Sequence, residues 1–197
     1  EEFPSFLASY ENTVFAGLRM NRLKTGEEQW LSFATEAVTG KVSPVPWVEN
    51  GYFYPEDCSP AKHPFYAAGL FYLQEPSAMT PASRLPVDPG MAVLDLCAAP
   101  GGKATELAGK LAGKGWLLAN DLSASRAKAL AKNLEMAGAA NVFVTAESPE
   151  KLGTFYPGVF DRILIDAPCS GEGMFRKEPS MCSYWEANKA ESYVEVQ

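Results

Sequence analysis

No apolar run in these 197 residues approaches the length needed to span a bilayer. The opening Glu1-Glu2-Phe3-Pro4 lacks the basic-then-apolar layout of a secretory signal. A membrane or exported protein is not expected, and a cytoplasmic location is. Paired cysteines are also missing: Cys58, Cys97, Cys169 and Cys182 are scattered and form no CxxC pair. Disulfides and a zinc or other metal site are therefore not expected, and the four read as reduced thiols. Positive charge is scarce, with a formal net charge of −7, which argues mildly against nucleic acid, whose phosphates demand cations. The deficit is uneven. Residues 1–90 hold 6 Lys+Arg against 11 Asp+Glu, while 91–197 hold 11 against 13. There is no internal repeat and no low-complexity segment. Nor is there a GxGxxG dinucleotide turn, and a GxxxxGK[ST] phosphate loop fails because Cys97 stands where the first glycine belongs and Ala104 follows Lys103.

What is present is ordinary for a globular chain, 47% hydrophobic and 21% charged. Residues 1 to about 85 predict a small α+β unit. Phe3 to Tyr10 and Glu28 to Ala37 read as helices, the second with an apolar stripe of Trp30, Leu31, Phe33, Ala34 and Ala37. Gly17 to Leu23 alternates like a half-buried strand. Val42 to Pro64, rich in Pro, Gly and aromatics, predicts turns and short strands, and Pro81 to Gly90 is the natural boundary. Beyond it, Met91–Leu96 reads as a buried parallel strand, and Trp116–Ala119, Asn141–Thr145 and Arg162–Ile165 as the second, third and fourth strands. Helices are expected from Ala104 to about Leu111 and from Ser123, a plausible N-cap, to Met136. This alternation predicts an α/β, doubly wound sheet with right-handed crossovers. The domains are thus expected at 1–85 and 86–197.

In such sheets ligands bind at the carboxyl ends of the strands, near the point where strand order reverses. The first strand runs into Asp95-Leu96-Cys97-Ala98-Ala99-Pro100-Gly101-Gly102-Lys103, whose small residues leave backbone bare for close ligand approach. A merely tight strand–helix turn is the competing reading. The second strand ends at Asp121, placed to accept hydrogen bonds from both hydroxyls of a ribose, or to sit at a helix start for dipole reasons. Glu147 follows the third strand, positioned for an adenine edge, although Ser148-Pro149-Glu150 also resembles a helix start with solvated carboxylates. The fourth strand delivers Asp166-Ala167-Pro168-Cys169. A carboxylate and a thiol three residues apart suit chemistry on an electron-poor ring. A small buried residue is the alternative for any free cysteine.

At these residues the chain resembles the RNA cytosine-5 methyltransferases of the RsmB/RsmF (Sun) family. Leu94 to Lys103 (LDLCAAPGGK) is similar to the family's cofactor loop, Asn120-Asp121-Leu122-Ser123-x-x-Arg126 to its second motif, and Asp161 to Lys177 (DRILIDAPCSGEGMFRK) to its fourth. Gly17 to Lys24 (GLRMNRLK) and Gln74 to Met79 (QEPSAM) also match, and the GEGMFRK continuation is most similar to bacterial enzymes acting on 16S ribosomal RNA. The resemblance covers nearly the whole chain. It implies a Rossmann-like S-adenosylmethionine-dependent methyltransferase core, with about four parallel strands visible, behind the small α+β domain. It implies that Cys97, Ala98, Ala99, Pro100, Gly101, Gly102, Lys103, Asp121, Glu147 and Asp166 contact S-adenosylmethionine. Glu147 departs from the aspartate common in the family. Asp166 and Cys169 are the implied catalytic pair, Cys169 being the helper thiol tied to proton removal and product release. The attacking cysteine belongs to a Thr-Cys-Ser motif that this sequence does not contain. The chain is therefore expected to be a truncated piece of a larger enzyme, able at best to bind cofactor by itself. RNA, with 16S ribosomal RNA favoured, is the implied partner. Arg19, Arg22, Lys24, Arg176 and Lys177 are the candidate phosphate contacts, against a default of solvated surface charge. Two other functions stay open: a cofactor- and RNA-binding scaffold without catalysis, and a methyltransferase on a protein side chain or DNA. Methylation of nitrogen would not need the thiol of Asp166-x-x-Cys169.

Overall fold

The computed structural model describes residues 2–9, 16–37, 42–55, 57–169, 171 and 193–194. It divides into two compact units, one of residues 1–14 and 167–197, the other of residues 15–166. In the first unit, helix α1 spans Phe3–Ala8 with Pro4 as its second residue, whose fixed φ and missing N–H suit a first helical turn. Tyr10, where that helix was expected to end, lies outside the described residues.

In the second unit, two four-stranded sheets form among the described residues. The smaller is antiparallel: β1 (Ala16–Met20), β2 (Ser43–Pro44), β3 (Gly51–Tyr54) and β4 (Phe71–Leu73), in the order β2-β3-β1-β4. Helices α2 (Glu27–Ala37) and α3 (Pro64–Ala67) accompany it. Strand β1 departs from its alternating expectation, because Gly17, Leu18, Arg19 and Met20 are all buried. Leu18 and Met20 pack with Trp30, Ala34 and Phe71, while Arg19 enters a polar network on the other face. On α2 the buried face is Trp30 and Ala34, four residues apart, whereas Leu31 is 55% exposed. Burying one large apolar side chain stabilises by about 2 kcal/mol or more, so Trp30 docks this helix and Leu31 does not.

The larger sheet is parallel: β5 (Ala92–Asp95), β6 (Trp116–Asn120), β7 (Val142–Thr145) and β8 (Arg162–Leu164). Its order is β7-β6-β5-β8. The chain steps outward from β5 to β7, then returns across β5 to β8, so strand order reverses between β5 and β8. Helices α4 (Thr80–Arg84), α5 (Gly102–Leu111) and α6 (Ala124–Ala137) belong to this layer. Val93, Leu117, Ala119 and Leu164 of the strands pack with Ala82, Leu107, Leu111, Leu130 and Leu134 from these helices. Helix α7 (Pro149–Phe155) brings Leu152 to Leu94 and Leu118 on the other face. Helix α5 begins two residues earlier than the apolar pattern suggests. Gly101, at φ +117°, takes the left-handed N-cap position that a glycine tolerates without strain.

Candidate cofactor-binding site

The carboxyl ends of β5, β6 and β8 gather four charged side chains. Asp95 closes β5 and is 0% exposed, and neither of its carboxylate oxygens has a hydrogen-bond partner among the described residues. Burial pushes its carboxyl up to about 7, with Lys103 opposing and Asp166 and Asp121 adding to the rise. Across the reversal point, Lys103 Nζ meets Asp166 Oδ2 at 2.6 Å. Asp121, nearly buried, accepts from the Ser123 backbone N–H at 3.0 Å and pairs with Arg126 at 3.2 Å. Cys97 stands among these acids. Its thiol is pushed up by burial first, then by Asp121, Asp95 and Asp166. An unpartnered buried carboxylate among like charges costs stability unless something cationic completes it.

The glycine turn itself is clamped. Arg126 donates to Ala99 O at 2.9 Å, Asn133 to Pro100 O at 2.7 Å, and Ala98 N–H to Asn120 O at 2.7 Å. A Cβ on Gly102 would sit 3.0 Å from Gln74 Nε2 and 3.2 Å from Tyr72 Cε1, so β4 and the residue after it press on this turn. Asn120 binds three strand ends together. Its amide donates to Leu96 O and Glu147 O, and its oxygen accepts from Thr145 Oγ1 and the Glu147 N–H. Ser123 holds the N-cap position of α6, but its hydroxyl makes no cap bond and faces Ser125 Oγ. Asp121 satisfies the Ser123 N–H instead.

The other expected residues divide. Glu147 lies two residues past the end of β7, and its carboxylate is paired at 2.6 Å with Lys151 of α7. Cys169 is exposed and belongs to the other compact unit. Arg176, Lys177 and Cys182 lie outside the described residues.

Compared with known proteins, residues 82–196 match the family model described as 16S rRNA methyltransferase RsmB/F, and residues 1–76 match that for the N-terminal domain of 16S rRNA methyltransferase RsmF. This chain belongs to the 16S rRNA methyltransferase RsmB/F family. It is 38% identical over 192 residues to ribosomal RNA small subunit methyltransferase F of Escherichia coli O1:K1 / APEC, covering 93% of this chain and 39% of that protein. To the protein of the same name from Shewanella amazonensis it is 37% identical over 207 residues, covering 100% and 44%. The chain thus spans about two fifths of the length of these relatives. Among solved structures, a methyltransferase homolog protein from Pyrococcus horikoshii superposes with a TM-score of 0.79 at 30% identity, covering 93% of this chain and 60% of that one. The fold is therefore the α/β fold of methyltransferases.

Within this RsmB/F-family fold, sequence reasoning quoted Asp95 and Asn120 within its motifs without giving either a role, and it misjudged Arg19. Asp95 carried a signal, an acid inside an otherwise apolar strand, but its lack of partners is visible only in three dimensions. Arg19 is 2% exposed and makes bonds to Gln74, Gly102, Thr105 and Glu106, which corrects the expectation that it faces a phosphate. Lys24 is exposed, yet its ammonium caps Ala68 O and Met136 O, each at 2.7 Å. Arg22 pairs with the exposed Glu49 at 2.9 Å, beside a 460 Å³ cleft that Arg84, Lys110 and Trp47 also line.

Proposed function

We propose that this chain is the S-adenosylmethionine-binding part of an enzyme that methylates carbon 5 of cytosine in RNA, with 16S ribosomal RNA as substrate. The observation that carries the reading is the convergence of Asp95, the Cys97–Lys103 turn, Asp121 and the Lys103–Asp166 pair at the switch point of a parallel sheet. Asp95 tests the fit of the cofactor: two buried carboxylate oxygens with no partner among the described residues match an ammonium with N–H donors to give. Asp121 keeps a second lone pair on each oxygen for ribose hydroxyls. Gly101 and Gly102 allow the backbone to approach the ligand, and Lys103 holds Asp166 in place. Glu147 serves the adenine edge through the strand end that Asn120 fixes. When bound, S-adenosylmethionine supplies an electrophilic methyl on sulfur.

Cytosine C5 is a poor nucleophile. A cysteine thiolate adding to C6 makes C5 carbanion-like enough to take the methyl, after which the C5 proton leaves and the thiolate is eliminated. In this proposal Cys169 assists the last two events, with Asp166 beside it in sequence, and the attacking thiolate comes from the family's Thr-Cys-Ser motif. The two family matches, ending at 76 and starting at 82, support a division into an N-terminal domain (1–85) and a cofactor domain (86–197). Arg22, Arg176 and Lys177 are the proposed phosphate contacts, and single-stranded or looped RNA would spare the cost of flipping the base. Among the described residues no helix is long and apolar enough to cross a membrane; ribosomal RNA as substrate implies the cytoplasm. The whole protein, offered RNA containing 5-fluorocytosine together with S-adenosylmethionine, should be trapped as a covalent protein–RNA adduct. Turnover of normal RNA without such trapping would overturn the thiolate mechanism.

A further inference from the structure

We infer that Arg19 is a positioning residue for the cofactor loop, through which the antiparallel sheet sets the geometry of the glycine turn; this rests on the cofactor reading above. Arg19 leaves β1 and reaches the first turn of α5. Its Nη1 donates to Gly102 O at 2.6 Å and to Gln74 Oε1 at 2.8 Å. Its Nη2 donates to Thr105 Oγ1 at 2.6 Å, and its Nε pairs with Glu106 at 3.1 Å. Asn50 holds that same Glu106 oxygen from the side at 2.8 Å. The Tyr72 ring lies 5.9 Å from the guanidinium carbon.

Three features separate this network from an ordinary ion pair. One acceptor is the carbonyl of Gly102, the residue directly after the left-handed Gly101, so the contact fixes loop backbone rather than a remote side chain. The guanidinium is planar and its donors point in set directions, so meeting four acceptors fixes orientation as well as distance. Finally, Tyr72 and Gln74 close on the missing side chain of Gly102, so the same sheet both pulls and presses on one residue. The opposite flank of the turn is held by Arg126 and Asn133. A ligand that approaches bare backbone depends on such supports, because a small displacement of the turn removes several contacts at once.

The test separates positioning from stability on the whole protein. The double variant Arg19→Met/Glu106→Leu removes both buried charges together, leaving neither stranded. Arg19→Lys keeps the charge and loses the fork. Lys110→Met removes two bonds, to Ser83 O and Leu85 O, from the far end of the same helix. At a temperature where all are folded, the two Arg19 variants should bind S-adenosylmethionine about tenfold more weakly. In native-state exchange their Thr105 amide, which donates to Gly101 O at 2.9 Å, should exchange faster. Lys110→Met should lower the unfolding midpoint with neither effect. Wild-type affinity and unchanged Thr105 exchange in a folded Arg19 variant would overturn the inference. If the double variant does not fold, Arg19→Lys decides alone. If the wild-type protein binds no S-adenosylmethionine, the cofactor reading fails, and the Thr105 exchange still decides whether Arg19 fixes the turn.

Discussion

Two buried charges in this molecule have opposite surroundings. Arg19, between the two sheets, has a partner on each guanidinium nitrogen: Gly102, Gln74, Thr105 and Glu106 all bond to it. Asp95, at the carboxyl end of the parallel sheet, is as deeply buried and has no hydrogen-bond partner among the described residues. Evolution can retain a buried charge for architecture or for a ligand, and satisfaction tells the two apart. A charge with all its partners is part of the scaffold, and one without them stands ready for something else.

The sharpest way to break this contrast is to remove one partner from the Arg19 site. Arg19→Met alone leaves Glu106 buried beside apolar surface and should cost about 3–5 kcal/mol in denaturant unfolding; adding Glu106→Leu should recover most of it. A single variant as stable as the wild type would deny Arg19 its structural role.

Next comes the unsatisfied site. The folded Asp95 carboxyl sits at about 7 against an ordinary 3.8. Between these values the unfolded chain has released a proton that the folded one keeps, so stability falls as pH rises from about 4 to about 7 and then levels. The ceiling of that loss is on the order of 4 kcal/mol. Asp95→Asn should flatten this slope in unfolding measured across pH, without restoring cofactor affinity. S-adenosylmethionine should bind wild type more tightly as pH rises towards 7 and Asp95 ionises while the ligand's ammonium stays charged, and calorimetry at pH 5.5 and 7 checks the sign.

A smaller effect is expected at Asp121. Its replacement by alanine should weaken cofactor binding by roughly 10- to 100-fold, the worth of charged hydrogen bonds to ribose hydroxyls. An unchanged dissociation constant would remove Asp121 from the site. The smallest belongs to Glu147. Its carboxylate is 38% exposed and paired with Lys151 of α7, so Glu147→Gln should change stability by only about 0.3–0.5 kcal/mol and affinity by less than about threefold.

Much of the fold was legible because its signals are local. A continuous apolar run bounded by turn residues marked β5, shorter apolar stretches marked the other three parallel strands, and Gly101 and Gly102 marked the turn after the first. The exposed Leu31 escaped because α2 docks through Trp30 and Ala34, with Phe33 against Phe65, and Leu31 lies off that face. Burial of both faces of β1 escaped because α5, which covers Arg19, lies more than 80 residues further along the chain.

The sequence by itself determined the order of the four parallel strands with α5 and α6 between them, and which reactive groups close those strands, since backbone preference and apolar periodicity act over a few residues. Only the tertiary structure decided which charges are spent. Arg19 and Asp95 each lie on a short strand among apolar neighbours, and nothing near them in the chain tells them apart. Their fates depend on groups brought within 3 Å or so by folding, and electrostatic satisfaction is a property of distance in space.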